Sequence, residues 1–222
     1  MTDTFVRLLL VRHAEAVANT DLRYLGTRDD PLTERGRGQA TRLAQALALL
    51  PIAAVYTSSL RRAMDTATPI ADACGVAPTI DDRLREGGFG DWEGLTRAEV
   101  LASGPEAAEL HRRWEADPAV GPPNGESFAA IQGRVLACVA VLADAHPGAS
   151  IVLVSHVGAI KALLCAALGV PLVAAQRMFL DGATISVVDW GNGAAPWGSP
   201  SVLRLFNAHP RLGWESAEWL RR

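Results

Sequence analysis

Two histidines, a few arginines and one glutamate occupy positions from which a chain could handle a phosphoryl group. Arg12 and His13 follow the apolar run Phe5 to Val11. Ser155 and His156 follow the run Ile151 to Val154, and Arg61 and Arg62 come after Ser58-Ser59-Leu60, just beyond Ile52 to Tyr56. If the three runs are strands, these groups collect at one sheet edge, because ligands of open α/β sheets bind outside the carboxyl ends of the strands. Guanidinium groups fork onto phosphate oxygens through charge-assisted bonds. Their charge also disfavours an imidazolium, which keeps His13 neutral and nucleophilic near pH 7. Glu86, set beside such a group, could protonate a departing alkoxide. Nothing in this scheme calls for a metal ion or another cofactor.

Taken singly, each residue has a structural explanation. A histidine after a strand can be a satisfied structural group, Arg61 or Arg62 can be solvated surface, and Glu86 can be half of an ion pair with Arg83 or Arg85. The convergence of three separate pieces of chain is what carries the reading. His111, His146 and His209 lie in polar or loop surroundings and receive no role.

The elements that must position these groups can be traced along the chain. Phe5 to Val11 reads as a buried parallel strand, followed by a polar loop from about Glu15 to Pro31. Thr33 is placed to cap a helix ending before Pro51, and Ser58 or Ser59 to cap a second helix running to about Cys74. Val76 to Ile80 fits an edge strand, since Pro78 interrupts it. From Glu86 the composition changes. GGFGDWEG is glycine-rich and aromatic, Thr96 to Glu99 fits a capping box, and a helix is expected to continue to about Glu115. Ser127 should cap a long helix to about Ala145. Ile151 to Val154 is a further strand, Gly158 to Leu168 a helix, and Ile185 to Trp190 and Val202 to Phe206 complete the strands. This alternation predicts one α/β domain over residues 1–222, a mainly parallel sheet with helices on both faces, and a small helical lid insert at about 87–125.

Composition narrows the partners. The chain has 222 residues, 49% of them hydrophobic, which is material for a sizeable core. With 21 basic and 24 acidic residues its net charge is −3, so it has no global basic field to hold nucleic acid or an anionic membrane. Uninterrupted apolar stretches fall short of the roughly 18 residues that span a bilayer, and the first residues lack the basic n-region of a signal peptide. A cytoplasmic location is expected. Cys74, Cys138 and Cys165 are odd in number and widely spaced, so reduced thiols are expected rather than a disulfide or metal clamp.

At the chemistry-bearing positions the sequence resembles the histidine phosphatase superfamily, also called the phosphoglycerate-mutase-like family. The opening motif appears as Arg12-His13-Ala14-Glu15 with Asn19. The stretch DDPLTERGRGQA (Asp29 to Ala40) matches the second family segment, and YTSSLRRAMDTA (Tyr56 to Ala67) the third. LREGGFGDWEG (Leu84 to Gly94), NGES (Asn124 to Ser127) and VSHVGAIKAL (Val154 to Leu163) follow in order. The resemblance covers nearly the whole chain. It implies a three-layer α/β sandwich and a two-step hydrolysis of a small phosphorylated metabolite. His13 would become phospho-histidine and Glu86 would act as proton donor, then as base toward water. Arg12, Asn19, Arg62, His156 and position Val157 would hold the phosphoryl oxygens. It places the phosphate-binding arginine at Arg62 rather than Arg61.

The sequence departs from the family pattern at three positions. Ala14 and Val157 stand where glycine is usual, and Leu25 stands where a polar residue commonly touches phosphate, a place that Thr27 could fill. Phe89, Trp92, Trp114 and the loop around Pro122-Pro123 are candidates to shape the leaving-group pocket, with core packing the alternative for the two tryptophans. Within the family, a mutase passes the phosphoryl group to a second substrate rather than to water. Only 70 residues (156 − 86) separate Glu86 from His156, which favours a hydrolase. A non-catalytic phospho-ligand-binding member of the fold is the other alternative. His13-Ala14-Glu15 also spells the H-x-E of zinc nucleobase deaminases, but no cysteine here sits in the P-C-x-x-C those sites need. The tail carries Trp197, Trp214 and Trp219, which could pack on the domain or on a second subunit in a homodimer.

Overall fold

A computed structural model describes residues 5–17, 22–191 and 201–210. Asn19 and the tail tryptophans Trp197, Trp214 and Trp219 lie outside the described residues. The first apolar run forms β1 (Phe5–Arg12), buried between its two terminal residues. The other strands are β2 (Ile52–Thr57), β3 (Pro78–Ile80), β4 (Ser150–Ser155), β5 (Ile185–Gly191) and β6 (Val202–Ala208). They form one sheet in the order β3-β2-β4-β1-β5-β6. The four strands from β3 to β1 run parallel. β5 and β6 are antiparallel to their neighbours, a reversal that apolar runs alone do not signal.

The described residues also form α1 (Glu34–Leu47), α2 (Arg61–Cys74), α3 (Arg97–Ala102), α4 (Pro105–Ala116), α5 (Phe128–Ala145) and α6 (Val157–Leu168), of which α1, α2, α5 and α6 pack on the sheet. Side chains alternate across a strand, so β1 feeds two cores. Leu9 and Val11 pack with Leu43, Leu47 and Ile70 of α1 and α2, whereas Leu8 and Leu10 pack with Val135, Val139, Ile160 and Leu164 of α5 and α6. The expected three layers result. α5 is long and apolar enough by composition to cross a bilayer, with a mean hydropathy of 1.6. Its Ile131, Val135, Cys138, Val139 and Leu142 are nevertheless spent on the second core. The cysteines are free thiols, and burial, with the Asp81 carboxylate beside it, pushes the Cys138 thiol up to about 12.

Most caps fall where the sequence places them. The Thr33 hydroxyl accepts from Gly36 N–H, the Ser127 hydroxyl from Ala130 N–H, and Thr96 and Glu99 form the capping box. Two expectations fail. The helix begun at Thr96 does not run unbroken to Glu115. It stops at Ala102, and a new helix starts at Pro105, because Gly104 adopts φ 137° and proline at the first helical position has no amide to lose. Neither Ser58 nor Ser59 caps α2, whose N-cap residue is Leu60. The Arg61 amide instead donates to Asp29 Oδ1 at 2.6 Å, across 32 residues of sequence. An acid at that helix start also suits the dipole.

β5 carries a buried charge. Arg7 on β1 donates from Nε to Asp189 Oδ1 at 2.6 Å and from Nη2 to Oδ2 at 3.0 Å. Arg204 of β6 donates to the same carboxylate at 2.8 Å. The Arg7 and Asp189 side chains are only 6% and 4% exposed, against 30% for Arg204.

Candidate active site

β1 and β4 are in register, with Arg12 opposite Ser155, and His13 N–H continues the ladder by donating to Ser155 O at 3.0 Å. This alignment sets the His13 and His156 rings side by side, 5.0 Å between centroids. Both rings are buried, His13 being 3% exposed and His156 0%. His13 Nδ1 lies 2.7 Å from Ala14 O. A carbonyl only accepts, so Nδ1 carries the proton. Arg62 Nε–H points at His13 Nε2 from 3.3 Å, which again requires a bare lone pair at Nε2. Two independent partners thus select one tautomer. Burial, then the Arg62 and Arg12 charges, hold the His13 pKa well below 6.5, so the ring is neutral at pH 7.

Arg62 is 1% exposed. Besides His13, its guanidinium donates to Arg28 O at 2.5 Å and Gly26 O at 2.8 Å. Arg61, by contrast, is exposed and pairs with Asp65 at 3.6 Å. Arg12 donates to Leu180 O at 2.5 Å, while its buried Nε finds no partner among the described residues. Burial lowers the pKa of both Arg12 and Arg62. His156 Nε2 shares a 2.7 Å hydrogen bond with Ser58 Oγ, and its buried Nδ1 lacks a partner among the described residues. Ser58, expected as a helix cap, therefore serves the second histidine. Burial first, then the neighbouring His13 ring, with which it cannot share a second proton, and the Arg62 charge hold the His156 pKa well below 6.5.

Glu86 reaches the same place from the loop after β3. Both its carboxylate oxygens accept from Gly158 N–H, at 3.0 and 3.1 Å, in the first turn of α6. A β-carbon at position 158 would sit 2.4 Å from Glu86 Oε1, so glycine is what admits the carboxylate. Val157, the first helical residue, lines a cavity of about 360 Å³ together with Glu86 and Gly158. Sequence reasoning passed over Ser58, Asp29, Gly158 and Lys161. Lys161 alone carried a signal, standing one helical turn after Val157 and so on the same face.

The departures from the family pattern have local explanations. Ala14 is absent from the residues with positive φ, its side chain is buried in the first core, and its amide donates to Thr66 Oγ1 at 3.0 Å, so alanine fits. Leu25 is buried. The Thr27 hydroxyl donates to Glu93 Oε1 at 2.9 Å. The two tryptophans divide the roles considered for them. Trp92 is 4% exposed core, and Trp114 lines the cavity with Phe89 and Tyr24. The loop around Pro122-Pro123 lines it through Pro118 and Glu126 rather than through the two prolines themselves. Pro123 O accepts instead from Asp91 N–H. His111 is neither in a loop nor exposed, although Glu115 Oε2 lies 3.5 Å from its Nδ1. It lies on α4, fully buried, 5.2 Å from the Trp92 ring and 2.8 Å from the Tyr24 hydroxyl.

Among the described residues no three His, Cys, Asp or Glu side chains converge as a metal-holding group. A neutral imidazole with a bare Nε2, two guanidinium groups and a carboxylate at a helix start can together stabilise and attack an anionic electrophile.

A family profile described as the histidine phosphatase superfamily (branch 1) matches residues 8–198. The chain belongs to that family. A bifunctional protein of Mycobacterium tuberculosis is 40% identical over 206 residues, 92% of this chain but 54% of that protein. The chain thus spans about half the length of such curated relatives. Phosphoserine phosphatase 1 of Hydrogenobacter thermophilus is 38% identical, covering 82% of this chain and 86% of that one. The solved structure of a mycobacterial glucosyl-3-phosphoglycerate phosphatase superposes with a TM-score of 0.81 at 32% identity, over 91% of this chain and 98% of that one. Both of these last relatives are named as phosphatases.

Proposed function

We propose that this chain is a metal-independent phosphomonoesterase that cleaves a small phosphorylated metabolite through a phospho-histidine at His13. The observation that carries the reading is the His13 tautomer, protonated at Nδ1 against Ala14 O and bare at Nε2. In the first step Nε2 bonds to phosphorus, the ester P–O bond breaks, and the departing oxygen takes a proton from Glu86. In the second, Glu86 takes a proton from water as its oxygen bonds to phosphorus, and the P–N bond breaks to restore His13. Arg12, Arg62 and the His156 Nδ1 position supply donors for the phosphoryl oxygens, whose charge needs neutralising more than it needs covalent help. Asn19 and the first-turn amide at Val157 belong to the same reading. The 222 residues are then one domain, and 87–125 is its lid insert.

The test is phosphate release from p-nitrophenyl phosphate with a chelator present, together with rapid acid-free quenching. An alkali-stable, acid-labile phosphoryl group on the protein supports the reading. Turnover that the chelator abolishes overturns the metal-independent step. Interconversion of 2- and 3-phosphoglycerate without phosphate release would favour phosphoryl transfer instead, and binding of phosphomonoesters without turnover would favour a non-catalytic member of the fold.

Glycine at 158 offers a separate check. In Gly158→Ala the new methyl displaces the Glu86 carboxylate, which is the mobile end of a flexible side chain. A misplaced proton donor costs on the order of 10² in kcat, whereas alanine within a helix adds about 0.5–1 kcal/mol of stability. Kinetics and a thermal melt on one sample should show activity falling while Tm holds or rises. Equal loss of both would place the effect in folding.

A further inference from the structure

The cavity beside Glu86 has walls of unequal character. Phe89, Trp114, Phe128, Ile131 and Leu172 present an apolar surface. Three further charged side chains line it, and two of them are already matched. Glu126 is held at both oxygens by Arg134, each at 2.8 Å, and Glu115 is held by Arg97 at 3.2 Å. Lys161 is different. It lies on α6, half-buried, with no ion pair or hydrogen bond among the described residues, and Glu86 is the acid whose field it feels. A cation in a largely apolar pocket is costly to leave without a partner, and burial lowers its pKa accordingly.

We infer that Lys161 receives a carboxylate on the leaving group, and that the preferred substrate is a phosphomonoester whose alcohol joins an apolar body to that carboxylate. The inference rests on the phosphatase reading above and adds the half of the substrate that departs. Two features favour a carboxylate over a second phosphate. An ammonium is a single point charge, without the fork that a phosphate dianion favours. The Glu115 and Glu126 carboxylates lining the same cavity would also repel a dianion more than a monoanion. The apolar body occupies the wall formed by Phe89, Trp114, Phe128 and Leu172, which a sugar or a bare short-chain acid would leave unfilled.

Two esters of matched size test this: 3-carboxyphenyl phosphate and 3-carbamoylphenyl phosphate. Wild-type protein should prefer the carboxylate ester in kcat/KM by about 10- to 100-fold, the range of a charge-assisted hydrogen bond. Lys161→Met should collapse that preference to near unity, and Lys161→Arg should keep most of it. Absence of a preference in the wild type overturns the inference. So does an equal loss on both esters in Lys161→Met, which would mean that Lys161 acts on the phosphoryl group or through Glu86. If neither ester is hydrolysed, the phosphatase reading fails, and the ratio of calorimetric Kd values for the same pair still decides the pocket. A carboxylate preference that Lys161→Met removes sustains it, and equal Kd values refute it.

Discussion

Replacing His13 by alanine will reduce phosphate release by on the order of 10⁴-fold or more, the scale seen when a covalent nucleophile is removed, and will leave the protein folded at pH 7. The size of the effect follows from the geometry. His13 Nε2 is a lone pair that the arrangement holds bare by two separate contacts, Ala14 O at the other ring nitrogen and Arg62 Nε–H. Without it, Arg12, Arg62 and His156 can still gather a phosphoryl group, so residual binding of phosphate should persist while the phospho-protein disappears. The variant also reports on stability. The folded-state pKa of His13 is depressed below 6.5. As the pH falls through 6.5, the unfolded chain takes up a proton that the folded site refuses, and stability is lost on the acid side. Thermal melts between pH 7 and pH 5 should therefore be flatter for His13→Ala than for the parent. A variant that keeps full turnover, or a parent whose melts do not depend on pH in this window, would count against the assignment.

The second large effect concerns stability alone. Asp189→Ala will cost about 3–5 kcal/mol, because it removes one partner of a buried pair in which Asp189 is bonded by both Arg7 Nε and Nη2. For a chain of this length that is roughly 10 °C in Tm. Arg204→Ala touches the same carboxylate from a site 30% exposed and should cost about 1 kcal/mol or less. The pair Arg7→Met with Asp189→Leu should recover most of the loss, since apolar side chains of similar volume can replace a buried ion pair at little cost. A double variant as unstable as Asp189→Ala would show that the damage lies in packing. Arg7 sits at the far end of β1 from His13, so the specific activity of the folded fraction should not change.

How far the sequence could be read depended on the range of the interaction. Runs such as Leu8 to Val11 and Ile151 to Val154 announce strands because burial on both faces leaves no polar alternation. Thr33, Ser127 and the Thr96–Glu99 pair announce helix starts because each cap closes within three residues. Gly104-Pro105 was also a local signal, an available break inside a helical pattern that the amphipathic spacing hid. What could not be read was settled at a distance. Asp29 caps α2 from another loop, and so frees Ser58 for His156. Asp189 gathers arginines from β1 and β6. The direction of β5 and β6 depends on connections that a hydrophobic run does not encode. The site itself was legible as a set of residue types. The tautomer of His13, the seat of Glu86 on Gly158 and the unmatched charge of Lys161 emerged only once the strands were in register.

The three bonds that Arg62 makes to His13, Arg28 O and Gly26 O have a further consequence, for the timing of an entropy loss. A free arginine side chain carries about 2 kcal/mol of rotamer entropy. Here that freedom is surrendered when the chain folds, not when a ligand arrives. The guanidinium meets an incoming anion already aimed, so the attraction between them is not diluted by the disorder of a searching side chain. A lysine at position 62 would retain the charge but lack the planar fork that both carbonyls grip, and it would have to be ordered afresh at every encounter.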